Sequence, residues 1–207
     1  LAETFKAEFD ALDANKQVLM SADSLSYDEN SAIVIASGND EISQSGRILF
    51  SDRVLYNQQT GSVTASGDVT LLQPNGEVVF ANSIKLSKEM SEGLVKDLRL
   101  LIDTHTRFAA NSAKLSDGNR TDMKKAVFSP CQLWPDNPEK PPLWQIKALR
   151  IVHDQKSQDV AYYDAWLEVF GIPLVYTPYF EHPDPSVKKR SGFLAPTYGS
   201  SSNIGFQ

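Results

Sequence analysis

The 207-residue sequence predicts an all-β fold assembled from repeats, and three observations carry that expectation. A motif returns every 29 or 30 residues, apolar residues alternate within each unit, and turn-forming residues separate the runs. The motif is Ala22-Asp23-Ser24-Leu25-Ser26-Tyr27, matched by Ser51-Asp52-Arg53-Val54-Leu55-Tyr56, Ala81-Asn82-Ser83-Ile84-Lys85-Leu86 and Ala110-Asn111-Ser112-Ala113-Lys114-Leu115. A second phase repeats beside it: Ile35-Ala36-Ser37-Gly38-Asn39 matches Thr64-Ala65-Ser66-Gly67-Asp68, and Arg47-Ile48-Leu49-Phe50 matches Glu77-Val78-Val79-Phe80 and Thr106-Arg107-Phe108-Ala109. Two independent phases make coincidence a poor explanation.

Residues 1–16 carry Phe5, Phe9 and Leu12 at helical spacing, but the segment is short for an independent helix and reads as a mobile leader. It lacks the basic flank and apolar stretch of a signal peptide, so any export signal is expected to have been removed or omitted. From residue 17 the alternation begins. A period of two places alternate residues on one face of a strand, and the apolar set it selects is Ile48, Phe50, Val54, Tyr56, Val63, Val69, Leu71, Val78, Phe80, Ile84, Leu86, Phe108 and Leu115. Turns are expected at 28–30, Gly38-Asn39, 59–61, Gly67-Asp68, 74–76 and 117–119. The run 88–96 is a polar interruption without an assignable conformation. The repeat fades after Asp117, and strand-like alternation returns at 143–152 and 162–170.

One strand with a single apolar face is not stable alone, so successive units must stack and share an interior. That interior is the candidate site. It is either the closed core of a sandwich or solenoid, as in a structural stalk or adhesin, or an open trough that holds an acyl chain; periodicity alone does not separate them.

Composition excludes several function classes. With 20 basic against 26 acidic residues, the chain lacks the electrostatic footprint of a nucleic-acid binder. No run approaches the roughly 18 apolar residues of a transmembrane helix. His105, His153 and His182 show no metal-ligand spacing, and there is no nucleophile elbow, phosphate-binding glycine loop or paired-carboxylate cluster, so neither an enzyme, such as a β-helical lyase, nor a cofactor is expected. Cys131 is the single cysteine and reads equally well as a small buried residue or as a disulfide partner for something outside the chain.

More specific motifs lie in the second half: Phe128-Ser129-Pro130-Cys131, Trp144-Gln145-Ile146-Lys147-Ala148, Gly171-Ile172-Pro173, Tyr176-Thr177-Pro178-Tyr179-Phe180 and Arg190-Ser191-Gly192-Phe193-Leu194-Ala195-Pro196. With these, the chain resembles the LptD family of outer-membrane lipopolysaccharide-assembly proteins. The Ala-Asp/Asn-x-Leu-x-Tyr units resemble the OstA module shared by that family's periplasmic partners. Together the matches span about residues 17–207.

The resemblance implies a periplasmic OstA-like β-jelly roll over 17–185. Its apolar interior would take lipopolysaccharide acyl chains from a stacked LptA-like bridge protein, received at an N-terminal edge around Val18–Tyr27, and pass them to a β-barrel plugged by an LptE-like lipoprotein. The location implied is the cell outer membrane, with this domain facing the periplasm. Residues 186–207 would be a hinge and the first strand or so of that barrel, since each spanning strand needs about 9 to 11 residues. In that setting Lys188, Lys189, Arg190, Gly192 and Pro196 form the hinge and gate, Pro196 by weakening strand pairing, and the basic triplet by meeting headgroup phosphates or simply as a solvated turn. Cys131 would be the interdomain disulfide attachment. The family often carries a further N-terminal cysteine, which this chain does not.

Overall fold

The computed structural model describes residues 18–87, 89–102, 106–131, 134, 136–137, 140–185 and 187. Among these there are twelve strands: β1 (Leu19–Ser21), β2 (Ser24–Asp28), β3 (Ile33–Gln44), β4 (Arg47–Asn57), β5 (Ser62–Leu72), β6 (Val78–Ser87), β7 (Glu92–Leu101), β8 (Arg107–Ser116), β9 (Arg120–Ser129), β10 (Trp144–Asp154), β11 (Asp159–Val169) and β12 (Ile172–Pro183). All belong to one antiparallel sheet in which each strand from β3 to β12 pairs with its chain neighbours. β1 and β2 lie end to end along β3, broken at Ala22-Asp23, and so act as one interrupted edge strand. This is the all-β, repeat-built roll expected from the sequence.

Hairpin turns fall at 28–33, 57–62, 72–78 and 116–120 as expected. The Asp28 carboxylate accepts from the Asn30 amide and the Ser31 hydroxyl in the first of these, and this bonding holds its carboxyl below the usual range. Two expected turns are corrected. Gly38-Asn39 lies inside β3 and Gly67-Asp68 inside β5, where the chain bends without reversing. The unassigned run near residue 92 becomes the start of β7.

These bends explain both phases of the repeat. Asn39, Asp68, Asp97, Lys125 and Asp164 all take positive φ in mid-strand, one in each odd-numbered strand from β3 to β11. In β3 and β5 the extra residue of a bulge shifts the register between Ser37 and Asp40 and between Ser66 and Val69. The neighbouring strand supplies the other half of the corner. A Cβ on Gly67 would stand 2.3 Å from Asp52 Oδ2, and one on Gly38 would stand 2.7 Å from Asp23 Oδ2. Glycine is therefore required where the two strands cross closely, and Asn39 Nδ2 donates to Asp23 Oδ2 at 2.9 Å across the same corner.

The row of corners creases the whole sheet, and its two halves close on each other as layers. Ser45, in the β3–β4 turn of one layer, donates to Glu89 of the β6–β7 turn of the other at 3.0 Å. Gln155, after β10, donates to Glu77 of the β5–β6 turn at 2.7 Å. Between the layers runs one continuous core that includes Ile42, Leu49, Val54, Leu71, Ile84, Leu98, Phe108, Met123, Ile151 and Tyr162. Each such side chain contributes about 1.5–3 kcal/mol by leaving water, which is what holds the creased sheet in a folded state.

Candidate functional site

The candidate site is the space between the layers. Of the expected lining residues, Val54, Val63, Val69, Leu71, Ile84, Leu86, Phe108 and Leu115 are buried there, and Tyr56 is half-buried against the same core, its hydroxyl pKa raised by that burial. Ile48, Phe50, Val78 and Phe80 are corrected. They lie on the opposite face, and Leu49 and Val79 take the inward positions beside them. The crease is the cause: in β4 the inward positions run Leu49, Ser51, then Val54, and in β6 they run Val79, Ala81, then Ile84. Alternation slips by one residue at each corner, so an uninterrupted count of two assigns the wrong face on one side of it. The positions missed include Ile42, Val95, Leu98, Leu100 and Met123; for Leu49 and Val79 a usable signal was present, because the Ser51-Asp52 and Ala81-Asn82 pairs mark where the phase changes in β4 and β6.

Burial varies systematically along the trough. In the middle strands the inward side chains are sealed, with Val63, Leu86 and Met123 at 0–1% exposure. At the β2 edge the inward residues Leu25 and Tyr27 are 40% and 54% exposed; they pair with Ala36 and Val34. At the β12 edge Val175 and Phe180, paired with Leu167 and Tyr162, are 56% and 43% exposed. The apolar interior thus reaches solvent at the first and last strands and is closed between them.

Polar groups mark particular points of this interior. Asp40 is buried in β3 opposite Ser51 and neither carboxylate oxygen completes a hydrogen bond. Burial pushes its pKa up to about 6, against the opposing influence of the nearby Val54 amide. Glu77, also raised by burial, lies beside His153 with Oε1 3.9 Å from its Nδ1, and His153 Nε2 is held by Asp184. Tyr162 Oη and His182 Nε2 are 2.8 Å apart, and the Phe108, Phe128, Tyr162 and His182 rings pack beside this cluster. Burial drives the Tyr162 hydroxyl pKa far up, so it remains a neutral donor. His153 and His182 are thus both hydrogen-bonded and packed within this cluster. Among the described residues no group of three or more His, Cys, Asp or Glu is arranged to hold a metal ion.

Cys131 follows β9, half-buried, and its amide donates to Ser129 Oγ at 3.2 Å. The leader 1–16 and Lys188, Lys189, Arg190, Gly192 and Pro196 fall outside the described residues.

No protein-family model matches the chain. Its sequence is 30% identical over 178 residues to the LPS-assembly protein LptD of Nitrosococcus oceani, covering 86% of this chain and 23% of that protein. It is 28% identical over 188 residues to LptD of Bordetella pertussis, covering 90% and 23%, and 29% identical over 172 residues to LptD of Idiomarina loihiensis, covering 82% and 21%. The chain thus matches under a quarter of the length of these relatives. A solved structure, LptH of Pseudomonas aeruginosa, described as the LptA homologous periplasmic component of a lipopolysaccharide transport device, aligns with 50% of this chain and 77% of its own at TM-score 0.43 and 17% identity. By its sequence matches, carried across more than four-fifths of its length, the chain is a relative of the LptD family of LPS-assembly proteins.

Proposed function

We propose that this chain binds lipopolysaccharide acyl chains between its two layers and passes them along the trough toward an outer-membrane barrel. The observation that carries the reading is an apolar interior open at both edge strands and continuous between them. Each exposed methylene costs about 0.8 kcal/mol in water, so a lipid with several long chains needs an apolar route across an aqueous space. Many similar aliphatic contacts hold such a chain loosely enough to let it move. The step is binding and transfer, with no bond made or broken.

The sequence relatives support the same reading, which places the domain on the periplasmic side of the outer membrane. The partners are an LptA-like bridge stacking on the β1–β2 edge and an LptE-like plug in the barrel. A free edge of backbone donors and acceptors suits strand-to-strand stacking. Cys131 would pair with a cysteine beyond this sequence, and the segment after residue 185 would lead into the barrel through the basic triplet and Pro196. A stalk or adhesin, the other reading the repeat allows, needs a packed core, whereas a slide needs an unfilled apolar cavity with open ends.

The test is a photocrosslinking residue placed in the full-length protein in cells. Adducts with lipopolysaccharide are expected at Leu25, Leu49 and Phe180, and none at Phe50, which faces outward one residue from Leu49. Absence of adducts at all three inward positions would refute transport through the interior. Reduction should also shift the electrophoretic mobility of the full-length protein if Cys131 is disulfide-bonded.

A further inference from the structure

We propose that the outer face of β6–β12 is a docking surface for an anionic lipid bilayer. Two grooves lie on the outside of this part of the sheet, one on each side of the crease, and meet along the row of corners. One, of about 850 Å³, is lined by Lys85, Lys96, Lys114, Lys124 and Arg150 with Asp122, and includes exposed Leu94. The second, of about 660 Å³, is lined by Lys125, Lys147, Leu149, Trp166 and Tyr176 with Asp164. Seven basic side chains therefore meet two carboxylates, on a chain whose overall charge is −6. Both carboxylates are already engaged: Asp122 holds Arg150, and Asp164 accepts from the Tyr176 hydroxyl at 2.9 Å. Lys147 is itself paired with Glu168 at 3.0 Å, so the ammonium groups of Lys85, Lys96, Lys114, Lys124 and Lys125 dominate what remains.

The register makes the arrangement a consequence of the sheet. Lys96, Ser112, Lys124 and Arg150 are consecutive cross-strand partners on β7 to β10, so their side chains form one basic row. Val127, Lys147, Trp166 and Tyr176 form the next row, across β9 to β12. Trp166 and Tyr176 pack with ring centroids 5.2 Å apart yet remain 44% and 48% exposed, and Leu149 and Leu174 nearby are 62% and 60% exposed. A soluble surface rarely gathers so many exposed large apolar side chains. Amphipathic aromatic rings beside lysines match the headgroup level of a bilayer, where ring bodies enter the interface and ammonium groups meet lipid phosphates. A soluble polyanion would use the lysines and leave Trp166, Leu149 and Leu174 without a role. The bilayer accounts for both.

This surface goes beyond the transport reading and is opposite the trough, so either can fail alone: interior crosslinks can persist without bilayer binding, and the reverse. The test is co-sedimentation of the 207-residue chain with vesicles of phosphatidylglycerol and, separately, phosphatidylcholine. Binding is expected to the anionic vesicles only, to fall with salt, and to drop about 100-fold in the K96Q/K114Q/K124Q variant, at about fivefold per lysine near an anionic surface. Brominated lipid should quench tryptophan emission, and Trp166→Gln should remove that quenching; Leu149→Ser, at a more exposed position, should weaken binding if the first variant misfolds. Four results would overturn the proposal: no binding by folded chain, equal binding to both vesicle types, binding to polyphosphate at the same strength and independent of Trp166, or self-association through this face with no vesicle binding.

Discussion

Shortening Leu49 and Phe50 separately to alanine reads out the crease directly, because the two neighbours differ in face. Leu49 is fully buried between the layers, and Phe50 is 38% exposed on the outside, opposite Thr70 and Glu41. Removing a buried leucine loses the transfer free energy of its methyl and methylene groups and leaves a cavity, together about 3 kcal/mol. Removing Phe50 leaves no enclosed cavity and costs about 1 kcal/mol. For a domain of this size each kcal/mol moves Tm by roughly 2–4 °C, so Leu49→Ala should lower Tm by about 6–12 °C and Phe50→Ala by about 2–4 °C. Urea unfolding followed by circular dichroism should give the same order, with unchanged m-values. Val79 and Phe80 form a second pair of the same kind in β6. If Phe50→Ala cost as much as Leu49→Ala, the phase slip at the corner would be refuted, and the uninterrupted alternation restored.

Gly67→Ala should destabilise by at least about 2 kcal/mol, since its Cβ meets Asp52 at a φ of +79°. Adding Asp52→Ala should recover the steric share and leave the backbone share of about 1–2 kcal/mol, measured by a double-mutant cycle. Asp40 has its folded pKa raised from 3.8 to about 6, so the folded state binds the proton more tightly than the unfolded. Stability should therefore fall as pH rises from about 4 to about 6, by no more than about 3 kcal/mol, and then level off. Asp40→Asn should flatten that slope in denaturation midpoints taken across the range. His153→Ala should cost about 3–5 kcal/mol, because it removes a fully buried side chain and its bond to buried Asp184. Arg120→Ala, at the exposed pair with Asp154 (3.4 Å), should cost under about 1 kcal/mol in the same thermal assay.

Sequence alone determined the class, the stacking of consecutive strands and the chemistry of the interior, since period-two alternation and turn residues are local properties of the chain. It also placed Val54, Ile84, Leu86 and Phe108 inside. What it could not assign was the face of Ile48, Phe50, Val78 and Phe80. Gly38-Asn39 and Gly67-Asp68 have the composition of hairpin turns, and only pairing with the neighbouring strands turns them into corners within β3 and β5. The meeting of Glu77, His153 and Asp184, spread over more than a hundred residues, depends on one layer closing on the other. The open edges depend on which strands end the sheet, and the basic and aromatic rows depend on register. These are non-local facts. Side-chain periodicity records what each strand prefers to bury, but the partner that crosses it decides which side becomes the inside.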